Sequence, residues 1–103
     1  MSPVLEAVAE PTRRRILEVL LDGEAAVGEL VDAIGISQPG MSKHLRVLRE
    51  AGLVEARAEG KRRLYALNPD PLLEVDVWLA PYRRLWADRL DALARHLDER
   101  SPS

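Results

Sequence analysis

Apolar positions along this chain recur at helical spacing in five blocks, interrupted once by a stretch that alternates as a hairpin does. Ser2 and Pro3 suit the start of a short helix ending near Ala9, with Val4, Leu5 and Val8 on one side. Pro11 suits the first turn of a second helix, whose Ile16, Leu17, Leu20 and Leu21 face inward and which Gly23 stops. A brief extended segment is expected at 25–27. A third helix follows, marked by Leu30, Val31 and Ile34 and closed by Gly35. Only Ile36 separates Gly35 from Ser37, the expected N-cap of a fourth helix with Pro39 in its first turn and Met41, Leu45 and Leu48 at i, i+4, i+7. Two helices joined this tightly predict a helix-turn-helix.

Beyond Gly52 the periodicity changes. Residues 53–58 and 61–67 read as two short strands around a turn at Glu59-Gly60. Asn68-Pro69-Asp70-Pro71 then breaks the chain, and Val75, Leu79, Tyr82, Trp86, Leu90, Leu93 and Leu97 form one continuous seam on a long last helix. Pro81 removes the hydrogen bond to the Val77 carbonyl, which predicts a kink or a split into two helices there. Residues 101–103 are expected to fray. The fold class is therefore mainly α with a small β-hairpin, an α+β arrangement in which helices flank a two-stranded wing.

Composition narrows this further. With 103 residues, 47% hydrophobic and 31% charged, the chain has room for a single globular domain, 1–103. Phe is absent and aromatics make up 4%, so Leu, Val, Ile and Ala must build the core, and a chain this small gains from dimerising. No stretch approaches a membrane span and no basic flank precedes an apolar run, so a cytoplasmic protein without a membrane partner is expected. Taken as a total, the net charge of −2 argues against nucleic acid, but it conceals an asymmetry: residues 1–34 carry −4, residues 35–63 carry +4 and residues 64–103 carry −2. An anionic partner should meet the centre of the chain.

That centre holds suitable chemistry. Helical projection buries Met41, Leu45 and Leu48 and leaves Pro39, Ser42, Lys43, Arg46 and Glu50 opposite, flanked by Gln38, His44 and Arg49. Gln pairs bidentately with adenine, Lys and Arg pair with guanine, and Ser meets base or phosphate. Backbone amides around Ser37 to Gly40 are expected to add phosphate affinity. Beside this helix, the hairpin offers Arg57, Lys61, Arg62 and Arg63 to phosphates. Taken alone, such a face is more often merely solvated; the adjoining basic hairpin turns the reading toward double-stranded DNA.

Four segments carry a family resemblance: Glu-Pro-Thr-Arg-Arg-Arg-Ile-Leu (10–17), Val-Gly-Glu-Leu (27–30), Ile-Ser-Gln-Pro-Gly-Met-Ser-Lys-His-Leu-Arg-Val-Leu-Arg-Glu-Ala-Gly-Leu-Val (36–54) and Glu-Gly-Lys-Arg-Arg-Leu-Tyr-Ala-Leu-Asn-Pro (59–69). Together they resemble the ArsR/SmtB family of winged helix-turn-helix repressors, over nearly the whole chain. The resemblance implies a homodimer whose terminal helices pair and which releases operator DNA when an effector binds. It also implies that Gln38, Ser42, Lys43 and His44 face the major groove and that Arg62 and Arg63 lie on the wing. Residues 10–68 then form the DNA-binding core, and 1–9 and 70–99 the dimerisation helices.

The seam of the last helix supports pairing, because Leu79, Tyr82, Trp86, Leu93 and Leu97 are too many for so small a core to cover. Leu5 and Val8 of the first helix would join them. The alternative is that the seam covers the chain's own second and third helices. Metal sensing, common in the family, is not expected. The chain has no Cys, and of the two ligand pairs that the resemblance places on the last helix only His96 and Glu99 match, the other falling at Arg83 and Leu85. No cofactor is expected, and any small-molecule effector is left unidentified, although Trp78, Tyr82 and Trp86 could line an apolar pocket. There is no Gly-rich phosphate loop and no His beside a nucleophile, so no catalytic residues are assigned. A competing reading is a winged helix that docks a protein rather than DNA.

Overall fold

A computed structural model describes residues 2–100, with side chains through 98; the expected fraying at 101–103 lies outside the described residues. Helix α1 spans Pro3–Ala9, and Ser2 caps it by accepting from the Val4 amide at 3.2 Å. Helix α2, Pro11–Leu20, takes Glu10 as its N-cap, the carboxylate accepting from the Arg13 amide at 2.9 Å. At its end the Leu21, Asp22 and Gly23 amides bond three residues back, tightening the chain out of the helix. Leu21 therefore leaves the apolar face expected for it and is 71% exposed.

The extended segment is shorter than expected and does more. Strand β1 is Ala25–Ala26, and helix α3 begins at Val27 and runs to Ile34. Glu29 in the first turn of α3 accepts the Ala26 amide at 3.1 Å, which fixes the switch from strand to helix. Gly35 closes α3 in the left-handed conformation, and helix α4 follows at Gln38–Glu50.

Strands β2 (Val54–Glu59) and β3 (Arg62–Leu67) pair antiparallel. Glu59 lies opposite Arg62, so the two-residue turn is Gly60-Lys61, one position later than expected. Gly60 has a φ of 61° and Lys61 a negative one, the sign pattern of a type II′ turn. Ala25 pairs with Tyr65 and Ala26 with Leu64, so the wing is a three-stranded sheet of order β1-β3-β2. With β1 in place, β3 is hydrogen-bonded on both edges and the hairpin is tied to the start of α3.

Ile16, Leu30, Met41, Leu45, Leu48 and Leu53 are the largest fully buried side chains, drawn from α2, α3, α4 and the entry to β2. Asn68 ties the wing's exit to the end of α4: its side-chain amide donates to the Gly52 carbonyl at 3.0 Å and its backbone amide to the Leu53 carbonyl at 2.8 Å. Helix α5, Leu72–Arg100, is one element that carries Pro81 inside it, so the helix does not split. Leu72 and Val75 pack against the core, and Ser2 Oγ donates to Glu74 at 2.9 Å. From Pro81 every described side chain of α5 is exposed, and the helix gives the molecule a long dimension of 63 Å.

Candidate nucleic-acid interface

Helix α4 is held at its start by Ser37, whose Oγ accepts from the Gly40 amide at 3.2 Å, and along its inner face by the buried Met41, Leu45 and Leu48. Those anchors fix its rotation. Gln38, Ser42, Lys43, Arg46 and Arg49 are left exposed on the outer side. Lys43, Arg46 and Arg49 make no ion pair among the described residues. A helix with three such cations and two polar side chains at its outer face can approach a polyanion without first breaking its own contacts.

Two expectations for this helix meet competing contacts. Of the amides from Ser37 to Gly40, Pro39 has no N–H and that of Gly40 is bonded to Ser37 Oγ, while those of Ser37 and Gln38 have no hydrogen-bond partner among the described residues. Gly40 is half-buried, and a Cβ there would stand 3.2 Å from Ser37 Oγ, so the residue serves the cap. His44, expected to face the groove, lies half-buried against the α1–α2 junction. Its Nδ1 is 3.4 Å from Arg13 Nη1 and 3.8 Å from Glu10 Oε2. Position 44 flanks the buried stripe, and these two charged partners draw the ring inward.

The wing cations divide into two pairs. Arg57 grips Glu24 with a fork, Nε donating to Oε2 at 3.0 Å and Nη2 to Oε1, and Arg62 Nη2 donates to Glu29 Oε1 at 2.6 Å. Lys61, at the turn, and Arg63, whose guanidinium lies 6.0 Å from the Tyr65 ring centre, have no acidic partner among the described residues. A groove between α3, the start of α4 and the wing is lined by Glu29, Asp32, Gln38, Lys61, Arg62 and Arg63, so the wing tip and the first residue of α4 border the same space.

Sequence reasoning finds no role for Arg13, Arg14 and Arg15 beyond their charge. In the fold they serve helix ends: Arg13 donates to the carbonyls of Glu6 (3.1 Å) and Ala7 (2.7 Å), Arg14 to those of Val8 (2.8 Å) and Ala9 (3.1 Å). Arg15 reaches the Ile34 carbonyl at the end of α3 at 3.5 Å. Carbonyls in the last turn lack helical partners and carry the negative end of the dipole, so a guanidinium is well matched to them. Three consecutive arginines near the start of a helix that follows a short one are the sequence signal for this role.

Two carboxyls are shifted by these contacts. Partial burial works to raise Glu10, but the Arg13 and Thr12 amides, the His44 charge and the Thr12 hydroxyl outweigh it and hold the group below its ordinary 4.5. The Arg57 hydrogen bond and charge, against a smaller opposing effect of burial, do the same to Glu24, and Glu24 in turn raises Arg57. A carboxyl whose folded value is depressed stabilises the fold above its unfolded value and loses that contribution as pH falls through the folded one. Stability should accordingly decline with acid below about pH 4.5. In Glu10→Gln, urea melts across that range should show a shallower decline than wild type; an equal slope would show that Glu10 is not one of the groups responsible.

On α5, Trp78, Tyr82, Leu85, Trp86, Leu90, Leu93 and Leu97 are all exposed, whereas Leu79, Leu5 and Val8 are half-buried. The seam does not cover α2 and α3, because the main contact of α5 with another helix is with α1. Trp78 and Tyr82 lie together on the surface, ring centres 5.2 Å apart. His96 is exposed, and the side chain of Glu99 lies outside the described residues.

A capped recognition helix set on α3, a basic hairpin beside it and a projecting terminal helix define a winged helix-turn-helix protein of the transcription-regulator class. The model of the bacterial regulatory protein, arsR family, matches residues 10–56. The HTH-type transcriptional regulator Rv2034 of Mycobacterium tuberculosis is 41% identical over 93 residues, 90% of this chain and 84% of that one. The transcriptional repressor SdpR of Bacillus subtilis is 33% identical over 79 residues, 77% of this chain and 88% of its own. Among solved structures, the homodimeric winged helix-turn-helix DNA-binding domain of Mb0332 from Mycobacterium bovis superposes with a TM-score of 0.65 at 35% identity, covering 81% of this chain and 79% of that one. The chain belongs to the ArsR family of transcriptional regulators.

Proposed function

We propose that this regulator is a homodimeric repressor that binds an imperfectly palindromic operator, with α4 in the major groove and the wing on the phosphate backbone. The observation that carries the reading is the exposed set of Gln38, Ser42, Lys43 and Arg46, which burial of Met41, Leu45 and Leu48 leaves on the outer side of α4, with Lys61 and Arg63 of the wing bordering the same groove as Gln38. Gln38, Ser42 and Lys43 read bases; Arg46, Arg57 and Arg62 join Lys61 and Arg63 as phosphate contacts. Pairing of the exposed α5 seam, with Leu5 and Val8 beside it, gives the two-fold axis. Half-sites about 10 to 10.5 base pairs apart, or a multiple of that, follow from the symmetry. The M. bovis domain, named as homodimeric and DNA-binding, and the repressor SdpR support both parts.

Induction by metal is not part of this reading: the chain has no Cys, and Arg83 and Leu85 occupy positions where ligands are needed. No described helix is long and apolar enough to cross a membrane.

The test is a salt titration of binding to duplex DNA. Wild type should bind at low ionic strength with log affinity falling linearly in log salt. Lys61→Ala/Arg63→Ala should weaken binding to all sequences alike and reduce the slope by roughly 0.9 per lost phosphate contact. An unchanged slope removes the wing from the interface, and affinity insensitive to salt favours a protein-docking winged helix instead.

A further inference from the structure

We infer that Glu24 and Glu29 restrain the wing's affinity for DNA by competing with phosphate for Arg57 and Arg62. The inference rests on the DNA-binding reading above and adds two acidic residues to it as determinants of selectivity.

Four cations on a wing would ordinarily make it indiscriminate, since phosphate contacts carry no sequence information. Two of these four are occupied within the domain. The cross-strand register puts Arg57 and Glu59 on the same face of the hairpin as Arg62, which lies opposite Glu59, and carboxylates from outside the hairpin meet that face. Glu24 comes from the loop before β1 and Glu29 from the first turn of α3. The Arg57 fork takes both Glu24 oxygens, the geometry with which a guanidinium also takes a phosphate. Arg62 and Glu29 border the groove that Gln38 and Lys61 also line, so a backbone phosphate beside the start of α4 would compete with Glu29 directly.

Both pairs are open to solvent: the side chains are 54% and 37% exposed for Arg57–Glu24, and 59% each for Arg62–Glu29. Exposed pairs are weak, so phosphate can displace the carboxylates. Displacement leaves Glu24 and Glu29 unpaired beside a polyanion, a cost that a non-specific complex offsets with phosphate contacts alone and a matched site with base contacts as well. The wing therefore presents mainly Lys61 and Arg63 to random DNA and engages all four cations at a matched site.

The experiment compares wild type, Glu29→Gln, Glu24→Gln/Glu29→Gln and Asp32→Asn for binding to a random-sequence duplex across a salt series, with thermal melts of each protein. Glu29→Gln keeps a side-chain oxygen for the Ala26 amide, so the α3 cap survives. Asp32 borders the same groove without an ion pair among the described residues, so its substitution reports the general effect of removing one negative charge. Glu29→Gln should bind about threefold tighter at low salt, from the range that exposed pairs cover, and the double variant about tenfold tighter, with a slope steeper by up to roughly 0.9 per released arginine. Asp32→Asn should change little. If the double variant melts early, Glu29→Gln against Asp32→Asn decides the matter. Equal gains for those two would reduce the effect to net charge and overturn the competition. Weaker binding by the glutamine variants would also overturn it, showing that the carboxylates hold the arginines in place for phosphate. Salt-sensitive binding that the substitutions leave unaltered removes this inference alone; no salt-sensitive binding by any of the proteins removes the DNA reading with it.

Discussion

Leu48→Ala should destabilise the domain by about 2 to 5 kcal/mol and lower its melting midpoint by roughly 10 °C or more. Leu48 is fully buried behind α4, where the helix packs on the rest of the domain, and in so tight a core the lost methyl groups leave a cavity that the neighbours refill only in part. Against a total stability of about 5 to 15 kcal/mol, that is a large share. Leu21→Ala is the matched comparison: it removes the same atoms, but from a side chain 71% exposed, and should cost less than about 0.5 kcal/mol. Urea melts of the two variants decide the matter. Similar losses at both positions would mean that α4 is not anchored on its Met41-Leu45-Leu48 face, and the outward placement of Gln38, Ser42 and Lys43 would fall with it.

With the α5 seam paired as proposed, Trp86→Glu should convert the protein from dimer to monomer and weaken binding to the proposed operator at least about 30-fold. Trp86 sits mid-seam, 49% exposed in the single chain, and buried tryptophans at interfaces are typical hot spots worth about 2 kcal/mol or more. A glutamate there places a charge in an apolar contact without a partner, which costs more than deletion alone. DNA binding suffers because a monomer reaches only one half-site. Arg84→Glu, two residues away on the opposite side of α5, should leave the mass measured by sedimentation equilibrium unaltered. A dimer that survives Trp86→Glu would assign the seam to some other partner.

Much of this architecture could be read from the sequence, because the strongest signals were local. The cap at Ser37, the stripe Met41-Leu45-Leu48 and the left-handed Gly52 define α4 without reference to any other part of the chain. The seam on α5 was legible for the same reason, and the helix runs on through Pro81 because proline removes one hydrogen bond among many in a 29-residue element. What escaped depends on distant groups meeting. Strand β1 has two residues, too few for any period, and exists only because β3 offers a free edge. Arg57 and Arg62 each find a carboxylate 33 residues earlier, a pairing that no spacing rule announces. His44 sits where a helical wheel leaves either direction open, and only the crossing of α1 and α2 supplies Glu10 and Arg13 to turn it inward.

The projecting half of α5 has a further consequence. Residues 81–98 are exposed throughout, so this stretch lacks the packing of an amphipathic face from which helices in proteins draw most of their stability. With the seam paired between two chains as proposed, order in this segment becomes a second-order process, and mass action enters the folding equilibrium itself. Diluting the protein would melt the end of α5 before the winged core, in two separate transitions. In a cell, the number of copies per chromosome would fix the fraction of chains that hold a complete fold, so the level of expression would itself determine how much regulator is assembled.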